Sequence, residues 1–165
     1  MISAKKKNIN FLLDNIKPDV IINSAGITNI ETCEKYKKLA KKINVEILKN
    51  LFKIKKENNY KFWLIQISTD QMYDSNSLNK KSVETDKPKI NNFYTKTKLD
   101  AEKICIKNKS LILRTNFFGK SITNKKSFSD WIFRNLKSRK PFFLFNDVYF
   151  SPLRFKTFCD TLKKL

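Results

Sequence analysis

Apolar positions along this chain alternate between a three-to-four spacing and short unbroken runs. Ile9, Leu12, Leu13 and Ile16 fall at helical spacing within residues 4–16, and Lys17-Pro18 ends that pattern. Asp19-Val-Ile-Ile-Asn-Ser-Ala-Gly26 is an apolar run ending in small residues, as a buried parallel strand requires. Thr28 and Glu31 have the spacing of a capping box. After it, Cys33, Tyr36, Ala40, Ile43, Ile47, Leu51 and Ile54 mark one long amphipathic helix. Phe62-Trp-Leu-Ile-Gln-Ile-Ser68 reads as a second buried strand, residues 74–92 as a polar loop, and Phe93 to about Ile106 as a helix. Leu111-Ile-Leu-Arg-Thr-Asn-Phe117 predicts a third strand, residues 125–138 a helix, and Phe142-Phe-Leu-Phe145 a short fourth strand. Strands alternating with helices of this length imply βαβ units, hence an α/β fold with a parallel sheet and right-handed crossovers. No internal repeat or low-complexity linker interrupts the pattern, and 165 residues suit one domain with a real core.

Composition narrows the chemistry. The chain has no His, so mechanisms that need an imidazole are excluded. Cys33, Cys105 and Cys159 are far apart, with no Cys-x-x-Cys, which suggests neither a zinc site nor a disulfide framework. Neither a signal-peptide core nor a membrane-spanning apolar run is present, so a cytoplasmic, reducing setting is the expectation. A formal charge of +20 raises the question of nucleic acid. Only four of the 35 basic residues are Arg, however, and the 31 Lys are scattered along the whole chain. Lys is a hydrated point charge, whereas Arg reads bases bidentately. Non-specific adhesion to polyanions is expected, and specific nucleic-acid binding is not.

Ligands of an open parallel sheet bind beyond the carboxyl ends of its strands. The first strand delivers Asn23-Ser24-Ala25-Gly26 to that rim and the second delivers Ser68-Thr69-Asp70. The helix after the polar loop begins Tyr94-Thr-Lys-Thr-Lys98, placing Tyr94 and Lys98 one turn apart on one face. About one Tyr-x-x-x-Lys is expected by chance in a chain with five Tyr and 31 Lys, so the spacing alone is uninformative. Tyr94, Lys98, Ala101 and Cys105 nevertheless form a stripe that faces the sheet. A Lys on that stripe either reaches out along the helix edge or has a buried partner or task. An ammonium beside a phenol would favour the phenolate and sharpen Tyr94 as an acid.

In this setting the chain resembles the extended short-chain dehydrogenase/reductase family, most closely its dTDP-4-dehydrorhamnose reductase branch. The matching strings run in the family's order. They are residues 17–26, Ile43-Asn44-Val45, Ile67-Ser-Thr-Asp70, Glu84-Thr-Asp86, residues 94–102, Leu111-Ile-Leu-Arg-Thr115 with Gly119, and Asn146-Asp-Val-Tyr-Phe-Ser-Pro152. The resemblance implies a Rossmann-like, doubly wound parallel sheet and NADPH- or NADH-dependent reduction of a 4-keto nucleotide-activated deoxysugar. It implies Thr69, Tyr94 and Lys98 as the catalytic trio, with Ala25, Gly26, Ser68, Tyr94 and Lys98 lining the cofactor. Thr69, Asp70, Asn116 and Phe117 would meet the nucleotide-sugar substrate, and Asn44 would join a supporting polar network.

The family pattern also opens with a strand and a Gly-rich turn that seats the cofactor pyrophosphate. The only glycines here are Gly26 and Gly119. The resemblance thus implies a partial NAD(P)-binding domain over residues 1–165, without the first strands and that turn, with a substrate-binding region starting after about residue 140. Strand 19–26 would then be a sheet edge, needing self-association or a complementing chain. The other reading is a non-catalytic or regulatory member of the same fold that binds no cofactor.

Overall fold

The computed structural model describes residues 6–73, 81–121, 127–144, 146 and 151–165, with backbone alone at 6 and 7. These residues fall into two units that divide between Arg114 and Thr115.

The first unit is built on a sheet of order β1-β2-β3, from β1 (Val20–Asn23), β2 (Trp63–Thr69) and β3 (Leu111–Thr115). β1 and β2 pair in parallel, Val20 opposite Trp63 through Asn23 opposite Gln66. All of β2 after Trp63 is buried, which explains why its largely apolar run, broken by the buried Gln66, does not alternate with exposed polar residues. β1 is a sheet edge, and Val20 and Ile22 stay about half exposed. The helical layer contains α1 (Lys6–Ile16), α4 (Ile47–Glu57) and α5 (Phe93–Lys107). Ile9 and Leu13, Leu48 and Phe52, and Ala101 and Cys105 from these helices close one core with Phe62 and Leu64.

The long helix expected over residues 33–54 is divided. α2 (Ile30–Lys35) stops at Tyr36, α3 (Lys37–Lys41) follows, and a π-turn spans Lys42–Glu46 before α4. The expected stripe holds at Cys33, Ala40, Leu51 and Ile54, but Tyr36 is 50% exposed and Ile43 and Ile47 are half-buried. The extra residue of the π-turn brings Asn44, Val45 and Leu48 to the buried face instead. The cap is also one residue later than the capping-box spacing predicted. Asn29, not Thr28, accepts from the Thr32 N–H at 2.7 Å. Asn serves as well as Thr at this position, and its side chain also binds the Thr32 hydroxyl at 2.6 Å.

The second unit departs further from expectation. The strand read as residues 111–117 ends at Thr115, and Phe117–Phe118 form a separate β4 that pairs in parallel with β5 (Leu153–Arg154). α6 (Phe128–Ser138) starts from a capping box made by Ser127 and Asp130. The expected strand at 142–145 is not formed over 142–144, and Phe145 lies outside the described residues. Phe142 instead packs edge-on against Trp131 of α6, with ring centroids 5.6 Å apart. α7 (Phe155–Leu162) was not legible from spacing; its Phe155 and Phe158 pack edge-on against Phe117.

Candidate active site

Residues at the carboxyl end of β2 and the start of α5 converge as the spacing predicted. Two side chains fix the first turn of α5. Asn92 accepts from the Thr95 N–H at 2.8 Å, and Glu34 of α2 accepts from the Phe93 N–H at 2.6 Å. Two donors that the helix cannot satisfy internally are thereby satisfied. Those bonds hold Tyr94 6% exposed, beside Cys33 and Ala40. Cys33 has a structural role there, its thiol directed at the Ile27 carbonyl at 3.4 Å and its pKa raised by burial.

Lys98 is buried on the sheet-facing stripe, so the excursion along the helix edge does not occur. Its Nζ donates to the Ile67 carbonyl of β2 at 2.8 Å and lies 6.0 Å from the centre of the Tyr94 ring. Burial lowers the Lys98 pKa from the ordinary lysine value, and the Glu102 and Cys105 side chains oppose that shift. Thr69 is buried at the end of β2, and its side chain acts on Tyr94 through a hydrogen bond that favours the phenolate. Thr69 Oγ1 also accepts from the Gln71 N–H at 3.2 Å, closing the turn through Asp70.

One electrostatic expectation is corrected. The Tyr94 pKa is raised, not lowered, because desolvation outweighs the hydrogen bond from Thr69. Burial penalises the phenolate more than its neighbours stabilise it, so Tyr94 stays protonated at neutral pH.

Gly26 and Asn44 explain each other. Asn44 sits in the π-turn, where its Oδ1 accepts from the Ile27 N–H at 2.7 Å. Its Nδ2 reaches the Ile27 carbonyl at 3.0 Å and Thr97 Oγ1 at 2.9 Å. A Cβ on Gly26 would come within 3.2 Å of that Oδ1. The supporting role of Asn44 is thus visible in its bonds to the loop after β1 and to α5. Ala25 and Gly26 are exposed beyond β1, with the Ala25 N–H directed at Asn23 Oδ1 at 3.3 Å. The Ser68 hydroxyl is directed at Glu102 at 2.5 Å. Asn116 and Phe117 belong to the second unit, where the Asn116 carbonyl accepts from the Leu153 N–H at 2.8 Å.

The ion pair of the buried Glu102 with the half-buried Arg114 was missed. Its signal was present: Glu102 stands one turn beyond Lys98, in line with Tyr94.

The family model for the RmlD substrate binding domain matches residues 3–165. The chain belongs to this family. Among related proteins, the dTDP-4-dehydrorhamnose reductase of Salmonella typhimurium is 29% identical over 151 residues, covering 90% of this chain and 49% of that protein. A hypothetical dTDP-4-dehydrorhamnose reductase from Sulfolobus tokodaii superimposes with a TM-score of 0.81 at 30% identity, covering 98% of this chain and 56% of the other. A Bacillus anthracis dTDP-4-dehydrorhamnose reductase solved in complex with NADP shares the fold, with a TM-score of 0.82 at 24% identity and the same coverage. This RmlD-family chain therefore spans about half the length of the relatives it matches. Its α/β fold with a parallel sheet is that of Rossmann-like reductases, and no helix among its described residues is long and apolar enough to cross a membrane.

Proposed function

We propose that this chain carries the reacting groups of a nicotinamide-dependent reductase acting on a 4-keto, nucleotide-activated deoxysugar. The observation that supports this most is the meeting of Thr69, Tyr94 and Lys98 at the carboxyl end of one strand. All three are buried, and the Tyr94 phenol is protonated at neutral pH. These donors fit the ribose and nicotinamide end of NADPH or NADH. The small, exposed Ala25 and Gly26 leave room beside it. Lys98 would hold ribose hydroxyls, and Ala25, Gly26 and Ser68 would line the same end.

When bound, the reduced nicotinamide supplies a hydride to the carbonyl carbon. Tyr94 gives its hydroxyl proton to the carbonyl oxygen, completing a secondary alcohol. Thr69 donates a hydrogen bond to that oxygen as negative charge develops on it. The raised Tyr94 pKa keeps the proton in place until then. The Lys98 ammonium stabilises the tyrosinate left behind. Asp70, Asn116 and Phe117 are the proposed contacts to the nucleotide-sugar.

The test is NADPH consumption with a dTDP-4-keto-6-deoxysugar, using the chain together with the segment that completes the sheet beyond β1, on the same or a complementing polypeptide. Tyr94→Phe is expected to lower the rate at least about 100-fold. A rate that survives this substitution removes the proposed acid. The open edge at β1 favours a second reading for the isolated chain, a non-catalytic member that binds no cofactor. Saturable NADPH binding by the isolated chain at micromolar concentration overturns it.

A further inference from the structure

Polar side chains to which the proposed reaction assigns no chemical step form one connected cluster behind Lys98. Glu102, 1% exposed, lies one helical turn beyond Lys98 on α5. Its Oε1 accepts from Ser68 Oγ at 2.5 Å. Arg114 of β3 grips both carboxylate oxygens, with Nε at 3.1 and 3.3 Å and Nη2 at 2.8 Å. The remaining Nη1 of Arg114 donates to the Tyr73 hydroxyl and to the Glu84 carbonyl, the latter at 3.1 Å. Two successive turns of α5 therefore engage two successive residues of β2: Lys98 the carbonyl of Ile67, and Glu102 the hydroxyl of Ser68. The next residue of the strand is Thr69. A buried carboxylate is costly without such partners, and a bidentate Arg is the geometry that stabilises it.

We infer that Glu102, clamped by Arg114, is the positioning residue of this site: it supplies the negative charge that the buried Lys98 ammonium faces and fixes the strand end that presents Thr69. The inference rests on the reading of Tyr94 and Lys98 as reacting groups. The groups around Lys98 are few. On α5 they are Tyr94, Glu102 and Cys105, of which Glu102 and Cys105 act on its charge. β2 contributes no ionisable side chain until Asp70 follows it, and Asp70 bears on Tyr94. From α2, Cys33 bears on Tyr94, and from β3, Arg114 is committed to Glu102. Glu102 is thus the carboxylate that acts on Lys98.

The experiment follows the side-chain amine of Lys98 by NMR across alkaline pH in the full 165-residue chain, with its resonance assigned by its loss in Lys98→Arg. In Glu102→Gln the Lys98 midpoint is expected to shift to lower pH. Glu102→Asp, which keeps the charge, is expected to shift it back toward the original. A folded Glu102→Gln chain in which the Lys98 midpoint does not move overturns the inference. If Glu102→Gln alone does not fold, the double variant Glu102→Gln with Arg114→Gln removes both charges together. Its Lys98 midpoint is compared with that of Arg114→Gln alone, so that the two chains differ only in the Glu102 charge: a lower midpoint in the double variant supports the inference, and an equal one overturns it. No turnover is needed. The NADPH-consumption assay on the completed sheet judges the reductase reading separately: no NADPH consumption there counts against that reading, while the Lys98 midpoint still decides on Glu102.

Discussion

Lys98 shows at the residue scale how a site is held against the fold's own preference. Its folded-state pKa is depressed by burial, so the unfolded chain binds the proton more tightly than the folded one. The desolvation cost is in full force below that depressed value and fades as pH rises toward the ordinary lysine range. Tyr94 has the opposite sign: its raised pKa adds stability that is lost as pH climbs through the folded-state value, above the ordinary tyrosine range. Lys98→Met removes the buried charge while keeping most of the stem. The expected outcome is unchanged or higher stability at neutral pH, by up to about 1 kcal/mol, with the alkaline rise abolished and the proposed reductase function lost. Chemical denaturation at a series of pH values checks it. Gly26→Ala carries the reverse expectation. Its Cβ would meet the Oδ1 of Asn44, whose side-chain amide is held by three hydrogen bonds, one to Oδ1 and two from Nδ2. A loss of about 1 kcal/mol in unfolding free energy is expected, seen as a lower denaturation midpoint.

Helix ends dominate at the scale of elements. α4 and α5 both close in Schellman motifs, with the Tyr60 N–H on the Lys55 carbonyl and the Ser110 N–H on the Cys105 carbonyl, each at 3.0 Å. The left-handed positions are Asn59 and Lys109, with φ of 52° at both, where glycine is usual. Lys109→Gly is expected to raise stability by up to about 1 kcal/mol, measured by thermal unfolding. At the other end of α5, Asn92→Ala is expected to cost about 1 kcal/mol and to loosen the turn that carries Tyr94, seen as faster amide exchange at Thr95. These elements also show what could be read from sequence. β2 and α5 were legible because a largely apolar run and a 3.6-residue stripe each answer to one burial environment. The break at Tyr36 and the π-turn were not, because Tyr36, Ile43 and Ile47 fit a 3.6-residue stripe in the sequence although the structure leaves them exposed or half-buried. α7 and the β4–β5 pair were lost for a related reason: two-residue strands and a helix with Phe158 as its buried residue leave little pattern. Within the site, residue types predicted who meets, but the direction of the Tyr94 shift depended on the depth of burial, which no spacing encodes.

For the whole molecule, the open edge and the charge act against each other. Among the described residues no strand pairs with the outer side of β1, which lies beside an apolar groove of about 380 Å³ between α1, β1 and α4. Such an edge favours association, while a formal charge of +20 keeps copies apart as long as their fields are not screened. Sedimentation of the isolated chain is expected to show more self-association as ionic strength rises from roughly 0.01 to 0.5 M, and Ile22→Lys is expected to suppress it. A salt-independent monomer would show that the edge is already protected. The π-turn bearing Asn44 leads to a different consequence. A helix that carries one surplus residue is an insertion whose removal is structurally easy: excising a single position between Lys42 and Glu46 would restore uniform winding. It would also rotate the turn that points Asn44 at Ile27 and Thr97, leaving a smoother helix and an untethered loop. A shortened relative of this kind would keep its shape while its ligand-facing rim drifted.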